Sequence, residues 1–479
     1  MSEKKKLLWF YAIIAVFIST NALFTIGEIY WFNIFPILAL IVFMYFVSLD
    51  KIILFIVFTI PVAISLSDKD FGFSLYLPSE VLLIGVLLIA FLKFLLNPVV
   101  DKRFIRHPIT IIIILQLVWI FITSLTSEMP LISLKYFFSR LWFVIPFYFI
   151  GVKLFKEKKN IKRYIWLYVI SLTAVVIYTL VRHYIWAFDD QAAHWVMSPF
   201  FTDHTSYGAI LSFIIPVMAG FAFNKANSRQ IKYIAFAYTI FFIIALYFSS
   251  SRAAWVSIIA ALSVFMAISL KIKFRWIALV IIVFAGLFFS MKTQIIMNLE
   301  GNRQETSTNF TENVQSISNI SSDASNLERI NRWECALRMF KERPVFGWGP
   351  GTYQFVYAPF QISYEKTIIS SNAGDMGTAH NEYLGPLSES GLIGMLLIIA
   401  LVIASCYYAL TLLNKIKEKE IRLLLLVVFL GLVTYFVHGL LNNFLDTDKA
   451  SALFWGFIAI IVSIDIYHRK DDIEIKKSE

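Results

Sequence analysis

The sequence predicts an all-α polytopic membrane protein: a bundle of about 12–14 transmembrane helices with one large external, periplasmic loop containing short helices. Three observations predict it. Of the 479 residues 59% are hydrophobic and only 15% are charged, with a mean hydropathy of +0.73; ordinary soluble domains carry about a quarter charged residues. Apolar runs near the ~20 residues that cross a bilayer as a helix recur along the whole chain. One long polar stretch, about Lys292 to Ser390, interrupts them. The runs lack the apolar–polar alternation of barrel strands, which excludes a β-barrel.

Taken in order, the runs place spans near 7–26, 29–49, 52–66, 77–96, 109–125, 133–151, 161–185, 205–223, 231–248, 253–270, 275–291, 391–413, 421–441 and 451–467. The third is short, and Lys135 and Arg140 interrupt the sixth, so the count varies only in the N-terminal half. Four segments follow: spans within 1–204, central spans within 205–291, the loop 292–390, and C-terminal spans with a tail, 391–479. No internal repeat and no matching pair of broken spans marks an inverted-repeat transporter.

Charge orients the bundle. A net charge of +10 would suggest nucleic acid as partner in a soluble protein. Here Lys and Arg gather in short connections: Lys4 to Lys6, Lys93 to Arg106, Lys153 to Arg163, Lys225 to Lys232, Lys271 to Arg275, Lys415 to Arg422 and Arg469 to Lys477. The positive-inside rule makes this set cytoplasmic, with both termini inside. The 292–390 segment then faces outward, with connections 66–76, 186–204, 249–252 and 442–450. Lys4-Lys5-Lys6 precedes an apolar run without a small-residue cleavage site, so a start-transfer span is expected. Cys335 in the loop and Cys406 in a span do not form a pair, and no Cys/His spacing suggests zinc.

Within the loop, residues 301–325 are rich in Ser, Thr and Asn and are expected to be flexible. Ser325-Asn326-Leu327-Glu328 fits a capping box. Leu327, Ile330, Leu337 and Phe340, with Trp333, recur at helical spacing and predict an apolar face, with Arg329 and Arg332 on the more polar side. Pro344 ends the helix, and Gly347, Gly349 and Gly351 permit a tight turn. That turn could offer N–H groups to a phosphate, but it lacks the Gly-Lys-Ser/Thr ending of a P-loop, and a plain post-helix turn is the better reading.

Several polar groups stand at the outer side. Arg252 follows Ser249-Ser250-Ser251 where one span leaves and the next re-enters, at or just below the membrane surface. An arginine there is costly unless paired or facing a wet cavity, and its planar fork suits phosphate; the bland alternative is snorkelling to headgroups. His380, about ten residues before the next span, has the proton affinity to accept a hydroxyl proton, though a lone loop histidine is commonly only a polar residue. Arg329 is a second cation in the same compartment, with Arg332 and Arg338 equally available. Asp203 and His204, with Arg182 and His194, cluster at another outer edge. No Asp-x-Asp stands in an external loop as a metal-dependent glycosyltransferase would suggest, so no metal and no cofactor are expected. Outside the membrane no nucleotide drives synthesis. An enzyme there needs a pre-activated donor such as a sugar on a lipid pyrophosphate, with arginines on the pyrophosphate and a histidine taking the acceptor's proton.

From about Phe201 to Asn443 the chain resembles the O-antigen ligase and polymerase superfamily. The marks are Asp203-His204 leading into a span with Pro216; Ser251-Arg252-Ala253-Ala254; Arg329 with Trp333 and Ala336; Pro344, Gly347, Gly349, Gly351 and Tyr353; His380-Asn381 with Tyr383-Leu384; and Gly391-Leu392-Ile393-Gly394. The resemblance implies a helical bundle of a bacterial inner membrane acting on undecaprenyl-pyrophosphate-linked glycans without a metal. Arg252 and Arg329 would then bind the donor pyrophosphate, and His380 would be the base or otherwise essential. Arg332, His204, Arg182 and Tyr383 are further candidates.

The sequence thus favours an O-antigen ligase-like glycosyltransferase with lipid A–core or another glycan as acceptor and membrane lipids, but no nucleic acid, as partners. A polymerase of the same superfamily is the nearest alternative. A lipid-linked glycan transporter is disfavoured, because the ionisable candidates crowd one face.

Overall fold

The computed structural model of the chain describes residues 20, 48–68, 73–96, 101–224, 227–272, 327–363, 366, 370 and 377–469. The spans expected near 7–26, 29–49 and 275–291, the stretch 301–325 and the capping serine Ser325 lie outside them.

The first described helix, α1 (Leu49–Thr59), corrects the span expected at 52–66. Pro61 cannot donate to a helical ladder. Beyond it β1 (Ile64–Asp68) and β2 (Phe73–Leu77) pair as an antiparallel hairpin, from Ile64 opposite Leu77 to Asp68 opposite Phe73. Ile-Ser-Leu-Ser and Phe-Ser-Leu-Tyr-Leu alternate with period two, the strand signal that an apolar-run reading passes over.

Ten described helices are long and apolar enough to cross a membrane. They are α2 (Ser79–Leu96), α3 (Pro108–Leu125), α4 (Pro130–Leu154), α5 (Lys158–Ile185), α6 (His204–Phe223), α7 (Arg229–Phe248) and α8 (Arg252–Ser269). After α9, which spans 327–342 in the polar segment, come α10 (Leu384–Lys415), α11 (Lys419–His438) and α12 (Asp448–Tyr467). The chain is therefore an all-α, multi-pass membrane protein. Arg140 and Lys135 do not break α4. Arg140 is buried and donates to the Leu445 carbonyl at 3.1 Å and to the Tyr136 hydroxyl, while Lys135 stays exposed. The one irregularity in α4 is a π-turn at Ile145–Ile150, where Pro146 has no N–H for the normal ladder.

α12 is the axis of the bundle, buried along nearly its whole length and packed on α4, α11, α10 and α6. α6 also packs on α7, α8 and α11, and α10 packs on α3. Outward, Leu88, Phe91 and Leu95 of α2 and Ile234 and Ile244 of α7 stay exposed, as suits helices that meet lipid. At one end the connections are basic and are tied by Lys158–Glu418 (2.6 Å) and by Tyr467 on Asp101 (3.2 Å). At the other end begin α6, α8, α10 and α12, and there α9 is seated.

That seat depends on a break in α10. At Gly391 φ is +68°, and a Cβ there would stand 2.0 Å from the Val345 carbonyl oxygen. An unbroken helix would bond Leu392 N–H to the Ser388 carbonyl. Here Leu392 N–H donates to Pro344 O (3.0 Å), while Ser388 O accepts from Trp348 N–H (3.1 Å) and Glu389 O from Gly349 N–H (2.8 Å). The turn after α9 is thus stitched into the broken helix. Its remaining N–H groups are also occupied: Gly347 donates to Arg343 O, and Gly351 and Tyr353 to the Glu389 carboxylate. It is the plain post-helix turn of the first reading, with no amides left over for a phosphate.

Candidate active site

His380 occupies a left-handed backbone position, φ +48°. A non-glycine residue there is held by its neighbours at some cost. Asn381 caps α10, accepting from Tyr383 N–H (2.8 Å) and Leu384 N–H (2.9 Å), and donates to Leu440 O (2.7 Å). One Glu382 oxygen accepts from the Tyr435 hydroxyl (2.6 Å), Phe444 N–H (2.7 Å) and Leu445 N–H (2.9 Å). The Tyr383 hydroxyl donates to Phe436 O at 2.9 Å. Three consecutive residues therefore pin this segment to the end of α11 and the connection after it. Tyr383 acts here as a tie.

Among the described residues neither ring nitrogen of His380 makes a hydrogen bond. Burial, then Arg332 and Arg329, pull its pKa down to about 4, against the opposing pull of Asp203 and Glu328. The imidazole is neutral at pH 7 and can accept a proton.

Arg329 and Arg332 differ sharply. Arg332 is buried, with Nε 2.9 Å from Glu328 and Nη1 3.0 Å from the Thr378 carbonyl, and its guanidinium lies over the Tyr357 ring at 5.3 Å. A Cβ at Gly377 would fall 1.8 Å from that guanidinium, so a side chain there would displace Arg332. This corrects the expected polar placement of Arg332. The buried residues of α9 are Leu327, Glu328, Asn331, Arg332, Cys335, Ala336 and Met339, while Ile330, Trp333, Leu337 and Phe340 are half-buried. The glutamate and arginine neutralise each other, which is how two charged residues enter the packed side. Glu328 turns to Arg332 and Ser370. Arg329 is half-buried; burial lowers its pKa and Asp203 opposes this.

Asp203 caps α6. Its Oδ1 accepts from Thr205 N–H and Ser206 N–H, both at 2.8 Å, which fixes the carboxylate beside Arg329 and His380. The His204 ring meets His194 edge-on at 4.1 Å, and Arg329 and Asp203 act on it too. Arg182 donates to Ser198 O and the Tyr178 hydroxyl (3.1 Å) and sits over Trp195 at 5.1 Å, clamping the connection between α5 and α6.

Arg252 opens α8, exposed and, among the described residues, without a hydrogen bond or ion pair. Close packing of Gly208 against Ser251 and Ala254 holds this turn on α6. The Ala253 backbone touches His438, a residue the sequence reading missed. His438 is fully buried in the last turn of α11, with Nε2 3.1 Å from Asn442 Nδ2, and Arg329 and Asp203 act on it. Its signal was available: an ionisable side chain inside the apolar run 421–441. Arg329, His380, Asp203, His204 and His438 thus share one electrostatic neighbourhood, and Arg252 adjoins it through Ala253. Among the described residues no three Asp, Glu, His or Cys side chains converge as metal ligands do.

This arrangement defines a class: a multi-pass helical membrane protein whose polar segment folds over one end of the bundle and brings a neutral histidine among arginines. Residues 237–399 match the family described as O-antigen ligase, which supports the O-antigen ligase and polymerase superfamily and a glycosyltransferase-like protein. The match includes Arg252, Arg329, Arg332 and His380. An uncharacterized protein of Haemophilus influenzae is 23% identical over 128 residues, 27% of this chain and 31% of that relative's length.

Proposed function

We propose that the protein transfers a glycan from undecaprenyl pyrophosphate to an acceptor hydroxyl, as an O-antigen ligase acting on lipid A–core at the periplasmic face of the inner membrane. The observation that carries this is the neutral, unbonded His380 imidazole held among Arg329, Arg332 and Asp203. Arg252 and Arg329 hold the donor pyrophosphate and stabilise charge as it leaves. His380 takes the acceptor proton while the hydroxyl oxygen attacks the anomeric carbon. The C–O bond to the pyrophosphate breaks as the new glycosidic bond forms, in one displacement with inversion. No metal enters the reaction.

The test is a null strain complemented with wild type or His380→Ala. Lipid A–core lacking all O-chain, with long glycan on the polyprenyl carrier, is the expected result for the mutant. Core bearing a single repeat identifies a polymerase instead. A normal lipopolysaccharide ladder removes His380 from the mechanism.

A further inference from the structure

Behind the 377–382 segment lies a cavity of about 130 Å³, walled by α3, α4 and the broken start of α10. Thr378 and Asn381 line it, so His380 stands between two residues of its wall. Its ionisable lining is mostly acidic, where the other side of the segment holds arginines. Arg140 is its one lining cation, and both its bonds go to the Leu445 carbonyl and the Tyr136 hydroxyl. Three carboxylates face it: Glu382, Glu389 and Asp446. Glu382 holds the connection after α11, and Glu389 accepts Tyr353 N–H at 3.0 Å. Asp446 is different. It is exposed and lines the cavity. Among the described residues its carboxylate accepts no bond from another residue.

A pyrophosphate would find here no cation but Arg140, whose bonds are already made within the protein. The rest of the lining suits a polyhydroxylated ring. Gln116 and Gln354 bring amides that both donate and accept. Trp119 is fixed by its indole N–H on Ser390 O at 2.8 Å and offers a rigid apolar surface. Acceptors for hydroxyls together with a flat apolar surface for ring C–H groups are what a sugar needs.

We infer that this cavity binds one uncharged or amino-bearing sugar ring of the acceptor glycan, with Asp446 accepting its hydroxyls, and that it presents the neighbouring hydroxyl across the 378–381 wall to His380. The inference rests on the transferase reading above. It also assigns the two substrates to opposite sides of one short segment, the anionic donor with the arginines and the hydroxylated acceptor with the carboxylates.

Binding can be measured without turnover. The full chain in nanodiscs is titrated with methyl glycosides of hexoses, 2-amino-2-deoxyhexoses and hexuronic acids, followed by saturation-transfer NMR. A neutral or amino glycoside is expected to saturate while uronates do not. Asp446→Asn removes the charged acceptor, and Gly385→Leu fills the cavity from a helical position with open space beside it. Each is expected to weaken binding roughly tenfold or more, with thermal unfolding unchanged and Arg329→Ala binding as wild type. No saturable glycoside, or both cavity variants binding normally, overturns the assignment. Saturable binding by a protein that transfers no glycan leaves the subsite standing and removes the proposed reaction. Transfer by both cavity variants at wild-type acceptor KM does the reverse.

Discussion

At the residue scale, His380 is a base whose strength depends on its neighbours' charge. Burial and two arginines keep its pKa near 4 in the free protein. A pyrophosphate on Arg329 supplies opposite charge, so donor binding raises that pKa. Because the base works unprotonated, activity falls as pH drops through it. The acid limb of kcat, which reports the loaded enzyme, is expected at higher pH than that of kcat/KM for donor. Coincident limbs would separate His380 from the arginines. His380→Ala is expected to lower kcat by about 10²–10⁴-fold with donor KM nearly unchanged. The two arginines of α9 part company in the same assay. Arg329→Ala raises donor KM in a stable protein. Arg332→Ala removes the cation paired with buried Glu328, and breaking such a pair costs about 3–5 kcal/mol, which thermal unfolding in detergent would register as a fall in Tm.

At the element scale, spacing made the helices legible but not the face that α9 buries. Leu327 and Met339 are buried but Ile330, Trp333, Leu337 and Phe340 only half-buried, and Glu328 and Arg332 go inward because Thr378 and Tyr357, remote in sequence, meet Arg332. Asp203, Arg252, Arg329 and His380 could be singled out as residue types in order. The convergence of Asp203, Arg329 and His380 with His438 could not, since it depends on how α6 and α11 pack. The break in α10 was legible only as glycines in a motif. Gly391→Ala would force a Cβ against the Val345 carbonyl at a backbone angle that side chains resist. The turn over 343–352 is then expected to leave its seat, and limited proteolysis should cut there in the mutant and spare the wild type.

At the scale of the whole molecule, the site has a side. If it is periplasmic, Lys341→Cys, exposed at the end of α9, should react with a membrane-impermeant maleimide in cells with a permeabilised outer membrane. Lys417→Cys, exposed between α10 and α11, should react only after lysis. The native thiols interfere little, since Cys335 is buried and Cys406 only partly accessible. The opposite pattern would put the site where lipid-linked glycans await export and would remove the ligase reading.

The position of α12 bears on how such a molecule is made. It follows every other described helix in the chain, yet it is the one the others enclose. Arg140 of α4 takes its carbonyl partner from the connection just before α12, and Tyr164 and Tyr168 of α5 donate to carbonyls of Ala452 and Lys449 within it. Until the ribosome delivers that segment, these hydroxyls and the guanidinium sit in partly assembled spans without their final acceptors. The earlier helices can therefore complete these bonds only once the last span has joined them.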